Sequence, residues 1–142
     1  MMDLDPRLRE EAYALQAHLG FELTGWGEGQ ARVEMPVGPH LGNRQGVVHG
    51  GIHATLLDTA MGYSGCYTGD PARRVLALTL SLTVNYLGRI EGARLIATGA
   101  RTGGGRSTFF ASGRLEDDTG ALVATATGVF RYREARRAGD AA

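Results

Sequence analysis

The stretch 50-GGIHATLLDTAMGYSGCY-67 decides how this chain folds. Its apolar residues Ile52, Leu56, Leu57, Ala60, Met61, Tyr63 and Cys66 recur at helical spacing and cover most of the circumference. The spacing predicts a helix from Gly50 to about Tyr67, and a helix apolar nearly all round belongs in the middle of something. Two of its features do not serve helix stability. Glycine is the poorest helix former after proline, yet Gly50 and Gly51 open the segment, and a lone aspartate, Asp58, sits two turns inside it.

Beyond the breaker TGDPARR the period changes to two. In VLALTLSLTVNYL, alternation puts Leu76, Leu78, Leu80, Leu82 and Val84 on one face and Ala77, Thr79, Ser81, Thr83 and Asn85 on the other. Three further strand-like runs, 93–101, 107–116 and 121–133, are separated by GGG and DDTG, which suit hairpin turns. Upstream, Leu8, Ala12, Leu15 and Leu19 predict a helix over 6–19 with Pro6 at its entry. Residues 21–26 and 30–37 read as strands joined by GEG, and the polar loop GPHLGNRQG leads into the long helix. From about 134 the chain reads as a frayed tail. The expected architecture is α+β, one domain over 1–142. A flat sheet cannot bury a helix on all sides; a curved sheet wrapped around it and closed by a partner subunit can.

Composition narrows the function. The 142 residues carry 15 Lys+Arg against 15 Asp+Glu, so no basic field points to nucleic acid. Every one of those cations is arginine, so any phosphate contact falls to arginine or to backbone N–H groups. A single cysteine, Cys66, excludes an internal disulfide and reads as a small buried hydrophobe. No apolar run is long enough to span a membrane, and MMDLDPRLREE lacks the features of a signal peptide. The expected setting is cytoplasmic, with neither membrane nor nucleic acid as partner.

The chemistry concentrates at the long helix. Its first-turn N–H groups lack intrahelical partners and carry the positive end of the dipole. Glycine there lets a ligand approach them, which suits an oxyanion site, though a tight loop-to-helix junction demands glycine equally well. Asp58 has small neighbours at three and four positions, Ala54, Thr55 and Gly62 with Met61, leaving room for another molecule. Without partners its burial would raise its pKa and fit it for work as a base or nucleophile; a buried Asp satisfied by a backbone N–H or an arginine is the plainer alternative. Eight residues separate Gly50 from Asp58, roughly 12 Å along one helix. They cannot act on one carbonyl from the same chain, so cooperation requires a symmetric dimer.

The pattern Asn43-x5-His49-Gly50-Gly51-x6-Asp58, followed by a strand of alternating Leu and Thr/Ser, resembles the hotdog-fold acyl-CoA thioesterases of the phenylacetate-degradation (PaaI-like) type. The likeness covers roughly residues 15–133. It implies a hotdog fold, an antiparallel sheet wrapped around a long central helix, with active sites built between paired subunits in a dimer or dimer of dimers. It further implies that the Gly50 N–H, with Asn43, polarises a thioester carbonyl while Asp58 of the other subunit acts as nucleophile or general base. His49 would orient the site, and Thr79, or its neighbour in register Ser81, would assist the attacking water. No cofactor is implied, because coenzyme A is part of the acyl-CoA substrate; its contacts would include Gly51 and, at element ends, Arg106 and Arg89. Other readings are weaker in their residues. His49 and His53 share a helical face but have no third metal ligand, so no metal is expected, and Cys66 has no evident base. A hotdog dehydratase would space its His and carboxylate differently. A non-catalytic acyl-CoA binder would have no use for Asp58.

Overall fold

The computed structural model of the chain describes residues 2–134, so the expected tail lies outside the described residues. Six strands form one antiparallel sheet: β1 (Glu22–Gly27), β2 (Gln30–Pro36), β3 (Val75–Tyr86), β4 (Arg94–Gly104), β5 (Thr108–Asp117) and β6 (Leu122–Glu134). Their order across the sheet is β1-β2-β4-β5-β6-β3. Two α-helices complete the set, α1 (Ala14–Leu19) and α2 (Gly50–Ser64). The sheet curls around α2, which lies against all six strands. No helix among the described residues is long and apolar enough to cross a membrane.

The seating of α2 follows from its sequence. His53, Leu56, Leu57, Ala60, Met61 and Ser64 form the buried stripe, and Leu56, Leu57, Ala60 and Met61 are 0% exposed. Burying each large member of that stripe is worth about 1.5–3 kcal/mol. The helix comes close because β4 carries Gly99 beneath it; a Cβ there would overlap the Ala60 carbonyl. The opposite face, Ala54, Thr55, Asp58, Thr59 and Gly62, is only half-buried. A single chain therefore wraps one side of the helix and leaves the other open. The helix also ends at Ser64 rather than Tyr67. At Gly65 the Phe109 ring fills the space of a Cβ, and the Tyr132 hydroxyl donates to the Gly65 carbonyl at 2.9 Å.

Two expectations are corrected. The helix over 6–19 breaks into a 3-10 turn at Pro6–Leu8, an extended link, and the short α1. Local periodicity loses to tertiary contacts: Leu8 is buried by itself, Glu10 pairs with Arg74, and Tyr13 stacks edge-on against Phe21. In β3 the alternation is interrupted by a bulge, since Thr79 pairs with Phe130 and Ser81 with the adjacent Val129, leaving Leu80 unopposed. Val75 and Ala77 pack on the core before the bulge, and Leu82 and Val84 after it. Leu78 and Leu80, expected to share the face of Leu82, are instead 50% and 56% exposed. Among the described residues β3 pairs only with β6, so its other edge runs twelve residues with no neighbour there.

A fastener holds the far end of the sheet. Asp117, 2% exposed, accepts the N–H groups of Glu91 and Gly92 on one oxygen. Its other oxygen accepts the N–H and hydroxyl of Thr119 and the N–H of Ala121. These bonds, the Thr119 hydroxyl foremost, hold its carboxyl far below the usual carboxylate range. The β5–β6 turn and the loop after β3 are thereby tied together.

Candidate active site

The start of α2 is capped by His49, whose backbone is extended and whose Nδ1 accepts the Gly51 N–H at 2.8 Å. That contact occupies the Gly51 donor, so Gly51 does not offer its N–H to a ligand, contrary to the expectation for it. The Gly50 N–H donates to no group among the described residues. Gly50 is packed from the other side by Tyr86, at the end of β3. The Tyr86 hydroxyl donates to the Gly50 carbonyl at 2.6 Å, and its ring lies where a Gly50 Cβ would press at 3.3 Å. Both sequence readings of the glycines thus have a physical basis: Gly50 makes a tight junction, in which a Cβ would push the Tyr86 ring back by a few tenths of an ångström, and its N–H has no partner among the described residues. His53 sits below, edge-on to Tyr86, its Nδ1 3.3 Å from the His49 carbonyl. Burial pushes its pKa below the ordinary value.

Asn43 shapes the approach to this helix start. Its Oδ1 accepts the Gln45 and Val47 N–H groups at 2.8 and 3.3 Å, while its backbone exchanges bonds with Gly46 and Val47. The side-chain oxygen is committed to its own loop, which leaves the amide NH2 to serve as a donor.

Asp58 has, among the described residues, neither the arginine nor the backbone N–H that a merely structural carboxylate would use. Among the described residues its partner is the Thr79 hydroxyl, which donates to it at 2.6 Å. Burial raises the Asp58 carboxyl above its ordinary pKa, and the Thr79 bond offsets part of that rise. Thr79 faces α2 just before the bulge, so the register places Thr79 at the carboxylate. Asp58 and Thr79 border a cavity of about 350 Å3 between α2, the start of β3 and the segment carrying Tyr13. Gly50 lies roughly 12 Å back along α2, outside that cavity.

The two arginines separate. Arg106 opens onto a cleft of about 980 Å3 with Arg73, Arg74, Arg101, Arg131 and Arg133. Arg74 pairs with Glu10; none of the other five forms an ion pair with a carboxylate among the described residues. Arg89 follows the other end of β3, a twelve-residue strand away, on the order of 40 Å. Arg106 and Arg89 of one chain therefore cannot share one phosphate group. The five companions of Arg106 escaped the sequence reading because they come from three elements. The signal available was Arg131 and Arg133 at period two, on the strand beside the GGG turn. Tyr86 escaped as well, since nothing in a strand's alternation marks its last residue as a neighbour of a helix start.

Among the described residues no three His, Cys, Asp or Glu side chains are placed to hold a metal ion. Cys66 is buried, and its thiol is pushed up to about 12, first by that burial and then by Glu10. It is a resting thiol at neutral pH.

Residues 45–124 match the Thioesterase superfamily, which spans more than half of the chain, and the chain belongs to that superfamily. Its architecture is that of the hotdog-fold thioesterases of PaaI type. The BH2602 protein of Bacillus halodurans, solved with CoA, is 32% identical; the match covers 90% of this chain and 83% of that one, with a TM-score of 0.74. A thioesterase family protein from Silicibacter pomeroyi is 26% identical over 87% and 91% of the two chains, also at 0.74. The PaaI protein of the E. coli phenylacetic acid degradation operon shares the fold, at 23% identity over 84% and 83%, with a TM-score of 0.72. No curated protein matches the sequence.

Proposed function

We propose that the chain is an acyl-CoA thioesterase that works as a homodimer, itself paired into a dimer of dimers, with each active site shared by two subunits. The observation that carries this reading is the state of Asp58: half-buried, without a counter-ion among the described residues, and held by one hydroxyl on the open face of α2. The free Gly50 N–H lies at the helix start, too far along the same helix to meet it. A two-fold axis beside the unpaired edge of β3 solves both problems, because it covers the open face and sets one chain's Gly50 beside the partner's Asp58. The same axis carries the partner's Arg89 toward the arginine cleft: Thr79 and Tyr86 are seven residues apart on β3, and an exchange of those two points brings position 89 opposite the strand's start.

In that arrangement the Gly50 N–H, assisted by the Asn43 amide, donates to the thioester carbonyl oxygen as it becomes an oxyanion. His49 holds the helix start in place through its cap. On the general-base route Asp58 takes a proton from water positioned with Thr79, the water oxygen bonds to the carbonyl carbon, and the carbon–sulfur bond breaks. The proton ends on the departing thiolate, giving free acid and coenzyme A. On the nucleophilic route an Asp58 oxygen bonds to that carbon, the carbon–sulfur bond breaks and the thiolate leaves; water then opens the resulting anhydride, which releases the acid, restores the carboxylate and yields the proton that the thiolate takes. The raised pKa of Asp58 suits the first route, since a more basic carboxylate is the better proton acceptor. Arg106 and its neighbours supply charge for the coenzyme's phosphates. No separate cofactor takes part.

A thiol-release assay over acetyl-, phenylacetyl- and octanoyl-CoA, run on wild type and Asp58→Asn, tests the proposal. Turnover by wild type that collapses in the variant supports it. Coenzyme A binding by wild type with no thiol released would make the chain an acyl-CoA binder instead.

A further inference from the structure

Of the three glycines in α2, Gly62 is the one whose missing side chain the fold does not use. A Cβ at Gly50 would press on the Tyr86 ring at 3.3 Å and one at Gly51 on the His49 ring at 3.0 Å. One at Gly62 would meet the Phe130 ring at 3.7 Å, an ordinary contact. Nor does Gly62 adopt the positive φ that favours glycine. Alanine would fit there and would be the better helix former. What the missing side chain leaves is space. Gly62 lies one turn beyond Asp58 on the same face, about 6 Å along the helix, and both residues border the cavity of about 350 Å3.

The walls of that cavity indicate what it can hold. Tyr13, Trp26, Tyr63, Cys66 and Phe130 line it together with Glu10, Thr59, Arg74 and Arg133. Glu10 and Arg74 pair with each other, the Thr59 hydroxyl donates to the Thr55 carbonyl, and the Trp26 indole N–H donates to the Tyr63 carbonyl at 2.8 Å. The pantetheine arm of coenzyme A carries two amides, which would find few polar groups here not already engaged and would lose hydration without full compensation. An apolar acyl group loses nothing by entering. We propose that this cavity receives the acyl group and that Gly62 sets its size, so that the enzyme favours apolar acyl groups bulkier than acetyl. The inference rests on the thioesterase reading above and deepens it: Asp58 works at the mouth, and the acyl group runs along α2 past Gly62 toward Tyr63.

The test compares wild type, Gly62→Ala and Gly62→Val by thiol release from acetyl-, phenylacetyl- and octanoyl-CoA, with a melting curve for each protein. The expected result is a fall in the ratio of kcat/KM for either bulky substrate over acetyl-CoA. It should be about 10-fold for Gly62→Ala, which adds one carbon, and about 100-fold for Gly62→Val, which adds three, since a single methylene in an apolar pocket is worth about 10-fold or more. Gly62→Ala should melt about 2–5 °C higher than wild type. An unchanged ratio overturns the inference: equal losses on all three substrates would put the shared coenzyme arm in the cavity, and no loss would put no substrate there. A lower melting temperature for Gly62→Ala would show that the fold does need this glycine, which also overturns it. These outcomes leave the thioesterase reading standing. Wild type that hydrolyses none of the three would take down both.

Discussion

Asp58 and Asp117 are two carboxylates drawn into the same fold and treated in opposite ways. Each accepts a threonine hydroxyl at 2.6 Å, from Thr79 and Thr119 respectively. Around Asp117 four backbone N–H groups add to that bond, and its carboxyl is held down. Around Asp58 no other group among the described residues adds to it, burial dominates, and the carboxyl is pushed up. A carboxylate given every donor it can accept is a fastener. One left short of donors in a confined space keeps its reactivity for whatever enters that space.

The comparison can be broken most directly at Asp58 itself. Asp58→Asn should cost about 10^3-fold or more in kcat, within the usual reach of a lost acid–base group, as read by thiol release. It should also melt no lower than wild type at neutral pH. The sign follows from linkage: a folded-state pKa above the unfolded one means that the ionised carboxylate opposes folding once the pH exceeds it, and asparagine removes that opposition. Asp117→Ala should do the reverse, giving the largest fall in melting temperature of these four variants, with kcat per folded molecule retained at low temperature. Because the Asp117 pKa is depressed in the fold, its contribution is present above the ordinary carboxylate range and fades as the pH drops below about 4. Acid unfolding of wild type should therefore be steeper than that of Asp117→Ala.

The two threonines sharpen the contrast at smaller scale. Thr79→Val removes the one bond that lowers the Asp58 pKa. It should cost about 10-fold in kcat, the value of a hydrogen bond to a charged group, and move the acid limb of the pH–rate profile to higher pH. Thr119→Ala should leave that limb unmoved and shift only the midpoint of acid unfolding upward. An exchange of these two signatures would show that the two carboxylates had been assigned the wrong roles.

Much of this was legible in the chain itself. The 3.6-residue recurrence of Leu56, Leu57, Ala60 and Met61 and the turns GEG, GGG and DDTG give the helix and the hairpins directly, because those signals are local. A hydroxyl on this strand entered only through the family resemblance, as an aid to the attacking water; its bond to Asp58 was not read from the sequence, nor was the choice between Thr79 and Ser81. A bulge changes the face of every residue beyond it while leaving the alternation of letters intact. The segment over 6–19 misled because Leu8, Glu10 and Tyr13 find separate tertiary partners. The arginine cleft was hidden for the opposite reason. Its side chains are distant in sequence and meet only where β6, the GGG turn and the loop before β3 come together.

The bulge also fixes which length changes β3 can absorb. Leu80 is the residue that strict alternation would nominate for the core, yet it has no opposite number on β6. Its excision would close the ladder with Thr79 still toward Asp58 and Leu82 still toward the core. Excision of Ala77 or Leu78, three and two positions earlier in the same run, would shift the parity of everything before it and bring Val75 and its neighbours out of the core. Homologous strands that differ here by one residue could therefore share the same chemistry, provided the difference falls at position 80.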